Sequence, residues 1–141
     1  MTNEAIPVFG STVTVSTAVG TLGAAAVDSE SKTAITQNYL KADLTLAVTF
    51  SVAPVAGATI DVYRRDLNVD GVGDNPVPTA TYTYKYIGSF NVDAVTSLQY
   101  LSKNGVPLSV DCELYIKNST AQTMSSGWVL KAKPWTYGPA T

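Results

Sequence analysis

The stretch Asp43-Leu44-Thr45-Leu46-Ala47-Val48-Thr49-Phe50-Ser51-Val52 decides the fold. In an extended chain Leu44, Leu46, Val48, Phe50 and Val52 lie on one side, while Asp43, Thr45, Thr49 and Ser51 lie on the other. Period-two alternation is the pattern of a strand with one face in a core and the other in water. Residues 109–117 repeat it, with Val110, Cys112, Leu114 and Ile116 inward and Asp111, Glu113, Tyr115 and Lys117 outward. Cys112 is thereby a core residue. Weaker strands are expected at 12–19 with Val13 and Val15 inward, 33–39, 59–65 around Ile60 and Val62, 79–90, 95–101, and 127–133 around Trp128 and Leu130. Residues 93–101 would also fit a short helix, but no segment carries a 3.6-residue apolar stripe over three turns.

About eight short strands rich in Thr, Val and Tyr, parted by Gly, Pro, Asn and Asp clusters, are the signature of an antiparallel sandwich or barrel. Turns are expected at 53–57, 66–78, 103–105 and 121–126. Residues 19–31 show no alternation and contain Ala24-Ala25-Ala26, so they read as a flexible or partner-dependent segment. The expected organisation is an N-terminal arm over 1–30, with a possible first strand, and one β domain over 31–141.

A chain of 141 residues fits one core of ordinary size. Only 14% of it is charged, against about 25% in ordinary soluble domains, and the formal net charge is −2. That leaves no basic field to condense onto phosphates, and nucleic acid is not an expected partner. The absence of histidine removes Ser-His-Asp and Cys-His nucleophiles and the commonest metal ligand. One cysteine cannot form an internal disulfide, so no oxidising compartment is needed. Met1-Thr2-Asn3-Glu4 is acidic where an export signal is basic, and Val19 to Val27 is too short to span a bilayer. Synthesis in a cytoplasm without membrane insertion is the expectation.

Asp66-Leu67-Asn68-Val69-Asp70-Gly71-Val72-Gly73-Asp74 matches the first half of a calcium loop, in which oxygens at alternate positions converge on a hard cation. The closing carboxylate eleven residues after Asp66 is Val77, and Pro76 and Pro78 forbid the exiting helix. The expectation is therefore a polar loop that holds no calcium, with Asp66, Asn68, Asp70 and Asp74 as ligands only in the alternative. Tyr82, Tyr84 and Tyr86 alternate along one expected strand and could stack on sugar rings, or could lie half-buried against a loop or another subunit. Arg64 and Arg65 point to opposite faces of a strand. Asp61, Asp111 and Glu113 sit on outward strand positions without a paired acid and base, and Asn118-Ser119-Thr120 fits a glycosylation sequon but reads as a turn. No cofactor or metal is expected.

The runs Val62-Tyr63-Arg64-Arg65-Asp66-Leu67-Asn68-Val69-Asp70-Gly71, Tyr86-Ile87-Gly88-Ser89-Phe90, Val106-Pro107-Leu108, Glu113-Leu114-Tyr115-Ile116-Lys117-Asn118, Gly127-Trp128-Val129-Leu130 and Pro134-Trp135-Thr136-Tyr137 resemble the texture of tailed-bacteriophage virion structural proteins, in particular capsid decoration or cement proteins. The resemblance spans roughly residues 40 to 137 and brings no catalytic signature. It implies a β-sandwich or jelly roll that binds the outer surface of a capsid as an oligomer, commonly a trimer, after synthesis in the host cytoplasm. The partners it implies are the major capsid protein or other virion proteins, bridged so that the shell is stabilised. The aromatic side chains Tyr63, Tyr82, Tyr84, Tyr86, Tyr115 and Trp135 are the candidate interface residues, since such groups concentrate at interface centres. A carbohydrate-binding or receptor-binding module of a fibre or tail, using the Tyr82 to Tyr86 row, is the alternative, and an enzyme is disfavoured.

Overall fold

The computed structural model describes residues 4–16, 20–28, 32–82 and 85–139. Eight strands follow one another: β1 (Ala5–Phe9), β2 (Val13–Thr14), β3 (Lys41–Val48), β4 (Thr59–Asp66), β5 (Tyr86–Asn91), β6 (Gln99–Pro107), β7 (Cys112–Asn118) and β8 (Val129–Pro139). All pairings between them are antiparallel. One sheet has the order β1-β8-β3-β6, with β2 also on β8, and the other has the order β5-β4-β7.

β1 and β2 occupy the same edge of β8, with Phe9 opposite Trp135 and Val13 opposite Ala132, so they form one edge strand broken by a one-residue bulge. The free side of β7 is met by residues 25–28 and 35, through bridges of Val27 to Lys117 and Ile35 to Cys112. The Asp28 amide donates to the Ile116 carbonyl at 2.9 Å, and the Ile35 amide to that of Cys112 at 2.7 Å. Counting that contact as a strand position, the chain crosses between the two sheets at every step except β4 to β5, the wrapped order of a jelly roll. The chain is an all-β antiparallel β-sandwich.

The core lies between the sheets. Leu44, Leu46, Val48 and Phe50 from β3 and its extension meet Ile60 and Val62 of β4, Phe90 of β5, Cys112, Leu114 and Ile116 of β7, and Leu130 of β8, all buried. Trp128 closes one end, its indole N–H donating to the Gly20 carbonyl at 3.2 Å. Each of these aliphatic and aromatic side chains contributes about 1.5–3 kcal/mol through burial. Pro134 stands in β8, a central strand, where its missing N–H would normally be a defect. Its carbonyl accepts the Gly10 amide at 2.7 Å, and the absent donor falls where the edge strand bulges away.

The two best-patterned strands form with the expected inward faces over most of their length. Val52 and Val110 do not follow, being 57% and 46% exposed, because β3 has ended at Val48 and β7 begins only at Cys112. Residues 33–39 make one isolated bridge, at Ile35, instead of a strand, and 93–101 contain bends and the start of β6 instead of a helix. The expected turn at 103–105 is a bulge inside β6: the pairing shifts by one residue between Ala42 and Leu44, and Gly105 takes φ +68°. The Asp43 carboxylate accepts the Gly105 amide at 3.0 Å, which satisfies the bulged donor. The expected strand 79–90 forms only from Tyr86, after Lys85 turns the chain at φ +57°. The segment read as an N-terminal arm pairs with β8 and sends Val15 and Leu22 into the core, so its described residues belong to the sandwich.

Cys112 is fully buried, and burial pushes its thiol above the usual range. A thiol reagent should therefore label it slowly in native buffer and within the mixing time in denaturant. Fast native labelling would place the inward face of β7 in solvent.

Candidate functional site

The 66–74 loop hangs from the end of β4, and the carboxylates of Asp66 and Asp74 are already engaged. The Asp66 carboxylate accepts hydrogen bonds from Arg64 Nε at 2.7 Å, from Ser109 Oγ at 2.7 Å and from the Lys85 ammonium. Burial pushes the Asp66 carboxyl upward, but the bonds from Lys85, Ser109 and Arg64 together outweigh it and hold the group below the usual carboxylate range. Asp74 turns inward to accept the backbone amides of Val69, at 2.7 Å, and Asp70. Arg65 then fastens the loop to the sheet, donating to the Asn75 carbonyl at 2.9 Å, the Val72 carbonyl at 3.2 Å and Glu113 Oε1 at 2.9 Å. Asp66, Asn68, Asp74 and Lys85 do line one open pocket of about 340 Å³, but the Lys85 ammonium supplies there the positive charge that a calcium ion would bring. Titration with calcium after chelator treatment should give no heat and no rise in melting temperature, whereas a rise of several degrees would make Asp66, Asn68, Asp70 and Asp74 ligands.

A second polar cluster was not legible in the sequence. Lys32 donates to Ser16 Oγ at 2.8 Å and pairs with the Asp28 carboxylate, its ammonium lying 5.1 Å from the Tyr115 ring centre and 5.6 Å from that of Trp128. Burial pushes Lys32 down to about 7, against the opposing charge of Glu113. A serine beside such an amine is the pairing of a nucleophile and its base. Here Ser16 is buried and the side chains of Lys32 and Asp28 are sealed from solvent, so the cluster ties Ser16, Asp28 and Lys32 to one another over Tyr115 and Trp128 and offers no exposed reagent to a substrate. Of the outward acids, Asp61 accepts from Ser89 and Ser119 at 2.7 and 2.6 Å, and Glu113 is held by Arg65 and Tyr115. Among the described residues no group of His, Cys, Asp and Glu could hold a metal ion.

The candidate interface aromatics separate. Tyr63 and Tyr115 are 8% and 4% exposed, which corrects their placement on an open surface: Tyr63 is packed edge-on against Tyr86 at 6.0 Å, and Tyr115 lies beneath Lys32. Tyr82 is exposed in a tight turn with Thr79, Tyr86 is exposed at the head of β5, and Tyr84 lies outside the described residues. Tyr82 belongs to the 79–82 turn and Tyr86 to β5, so these two do not share one described strand. Trp135 does stand at a surface cluster, 6.2 Å from Phe9 and 5.3 Å from Tyr137, with Lys41 over its ring at 5.8 Å and its indole N–H on Asp43 at 3.0 Å. Phe9 and Tyr137 do not stand out in the sequence, because β1 has no alternation and the strand expected at 127–133 stops short of the end of β8 at Pro139. The signal was present in Lys131, Lys133, Trp135 and Tyr137, which continue the outward phase of β8.

Beyond Trp135 only β1 and the end of β8 remain paired, as a two-stranded ribbon. Ile6 and Val8 on one side and Phe9 and Tyr137 on the other are all exposed. Pro7 occupies a position whose amide would face away from β8, and it blunts the free edge of β1 against strand addition. Among the described residues no helix is long and apolar enough to cross a membrane. Comparison with protein-family models, with curated proteins and with solved structures gives no match.

Proposed function

We propose that this chain is a non-enzymatic structural protein of a bacteriophage virion that binds the outside of the capsid as a homotrimer and stabilises the shell by bridging coat subunits. The observation that carries this reading is the β1–β8 ribbon, which shows apolar side chains on both faces with no layer among the described residues to cover them. Such a surface binds by shape and apolar burial, which is the chemistry of an assembly contact. The polar clusters described above are consumed by the fold, which further favours a structural role over a catalytic one. The jelly-roll order fits but carries less weight, because that fold hosts unrelated functions.

Each bound copy favours the assembled shell, since disassembly must break its contacts as well. Closed cyclic symmetry is the usual arrangement for such a protein, and the resemblance to decoration proteins favours three-fold over two-fold. Light scattering of the purified chain should give about three times the chain mass. Binding to shells lacking it should survive high salt and be lost in an Ile6→Asp/Val8→Asp variant that keeps the native melting temperature. A monomer that does not bind such shells would refute the proposal.

A further inference from the structure

The outer face of the β8-β3-β6 sheet is not flat. Cross-strand partners place Ala47 between Tyr100 and Val129, Thr45 between Ser102 and Lys131, and Asp43 beside Lys133. Small side chains along the middle strand, with longer ones on both flanks, leave a depression of about 550 Å³ over Thr45 and Ala47. A second, of about 300 Å³, lies over Asp43 and Lys133. The two share Thr45 and Lys131, so they form one trough running along β3 towards Trp135. Successive outward residues of a strand are about 7 Å apart, which makes the trough about 13 Å long from Ala47 to Asp43, with Lys41 just beyond its end.

Its chemistry has three parts. Tyr100, 81% exposed, is the aromatic wall at one end. Thr45 and Ser102 put hydroxyls on the floor. Lys41, Lys131 and Lys133 are exposed cations, and among the described residues none of them is in an ion pair. Asp43 is the one carboxylate lining either depression, and one of its oxygens is spent on Trp135 and Gly105. On a chain of net charge −2, this face is locally basic.

We infer that the trough binds an extended acidic polysaccharide, a chain of uronate sugars, with carboxylates on Lys131 and Lys133, hydroxyls on Thr45 and Ser102, and a ring face against Tyr100. A saccharide fits better than an acidic peptide for a specific reason. A peptide that binds by strand addition needs backbone partners, and those of β3 are already taken on both sides by β6 and β8. What the trough offers is side-chain hydroxyls, ammonium groups and aromatic faces. The site is separate from the apolar ribbon tip, so a virion protein docked through Ile6 and Val8 would still present it.

The test is calorimetric titration of the full chain with three probes: hexagalacturonate, neutral maltohexaose and hexaglutamate. Saturable binding of hexagalacturonate alone, weakened as salt rises, is the expected result. Tyr100→Ala and Lys131→Ser, both at exposed positions, should each weaken it about tenfold or more without moving the melting temperature. Absence of binding, equal binding of the neutral hexamer, tighter binding of hexaglutamate, or unaltered binding by both variants would each overturn the inference. Shell binding should be unchanged in these two variants, so failure here is distinguishable from failure of the capsid reading.

Discussion

Leu46→Asp is expected to abolish the folded state at temperatures where Thr45→Asp melts almost as the parent does. The two positions are adjacent in β3 and differ only in the side of the sheet they face: Leu46 is fully buried between the sheets, whereas Thr45 is exposed opposite Ser102 and Lys131. An aspartate at 46 loses the burial of a leucine and places an unpaired carboxylate in the core, a cost of about 4 kcal/mol or more. At 45 the new charge stays in water beside an ammonium, and the change should stay within about 0.5 kcal/mol. Thermal melts should separate the two variants by about 10 °C or more. Equal melting temperatures would mean that the inward phase of β3 is misassigned, and with it the sandwich.

The next largest effect is expected at Asp66, where β4, the 66–74 loop, the residue before β5 and the 109–111 connection meet. Its carboxylate takes hydrogen bonds from Arg64, Lys85 and Ser109, and Asp66→Ala leaves two cations and a hydroxyl without their acceptor. A loss of about 2–3 kcal/mol at neutral pH is expected. The same group predicts an acid limb. Because its folded pKa lies below the unfolded value, it contributes stability that is present above the ordinary carboxylate range and is lost as pH falls through the folded value. Asp66→Asn should therefore flatten the fall of melting temperature as pH drops below the ordinary carboxylate range, while leaving the chain less stable at pH 7. An unchanged acid limb would show that other carboxylates carry it.

Strands with one wet and one dry face were legible because alternation is written in the residue types themselves. Leu44, Leu46 and Val48, or Cys112, Leu114 and Ile116, carry their phase regardless of neighbours. β1 was not legible: all five of its residues are exposed, so no burial pattern was imposed on Ala5-Ile6-Pro7-Val8-Phe9. The Lys103-Asn104-Gly105 run is a good turn sequence, and Gly105 does take a positive φ, but whether such a residue reverses a chain or bulges a strand depends on what pairs across from it. Here Asp43 supplies the missing acceptor and β6 continues. Tyr115 shows the same limit, since its outward phase was read correctly and its exposure was not. Nothing local to β7 announces that Lys32 will lie across it. The trough is likewise a property of three strands side by side, and only its lysines and tyrosine were visible one strand at a time.

The most direct test of the capsid assignment is an electron cryo-microscopy reconstruction of the native particle. It should show this jelly roll in threes on the outside of the shell, with the β1–β8 ribbon seated on coat subunits and the β8-β3-β6 face turned to solvent. A shell whose outer surface carries no density for this fold would contradict the account.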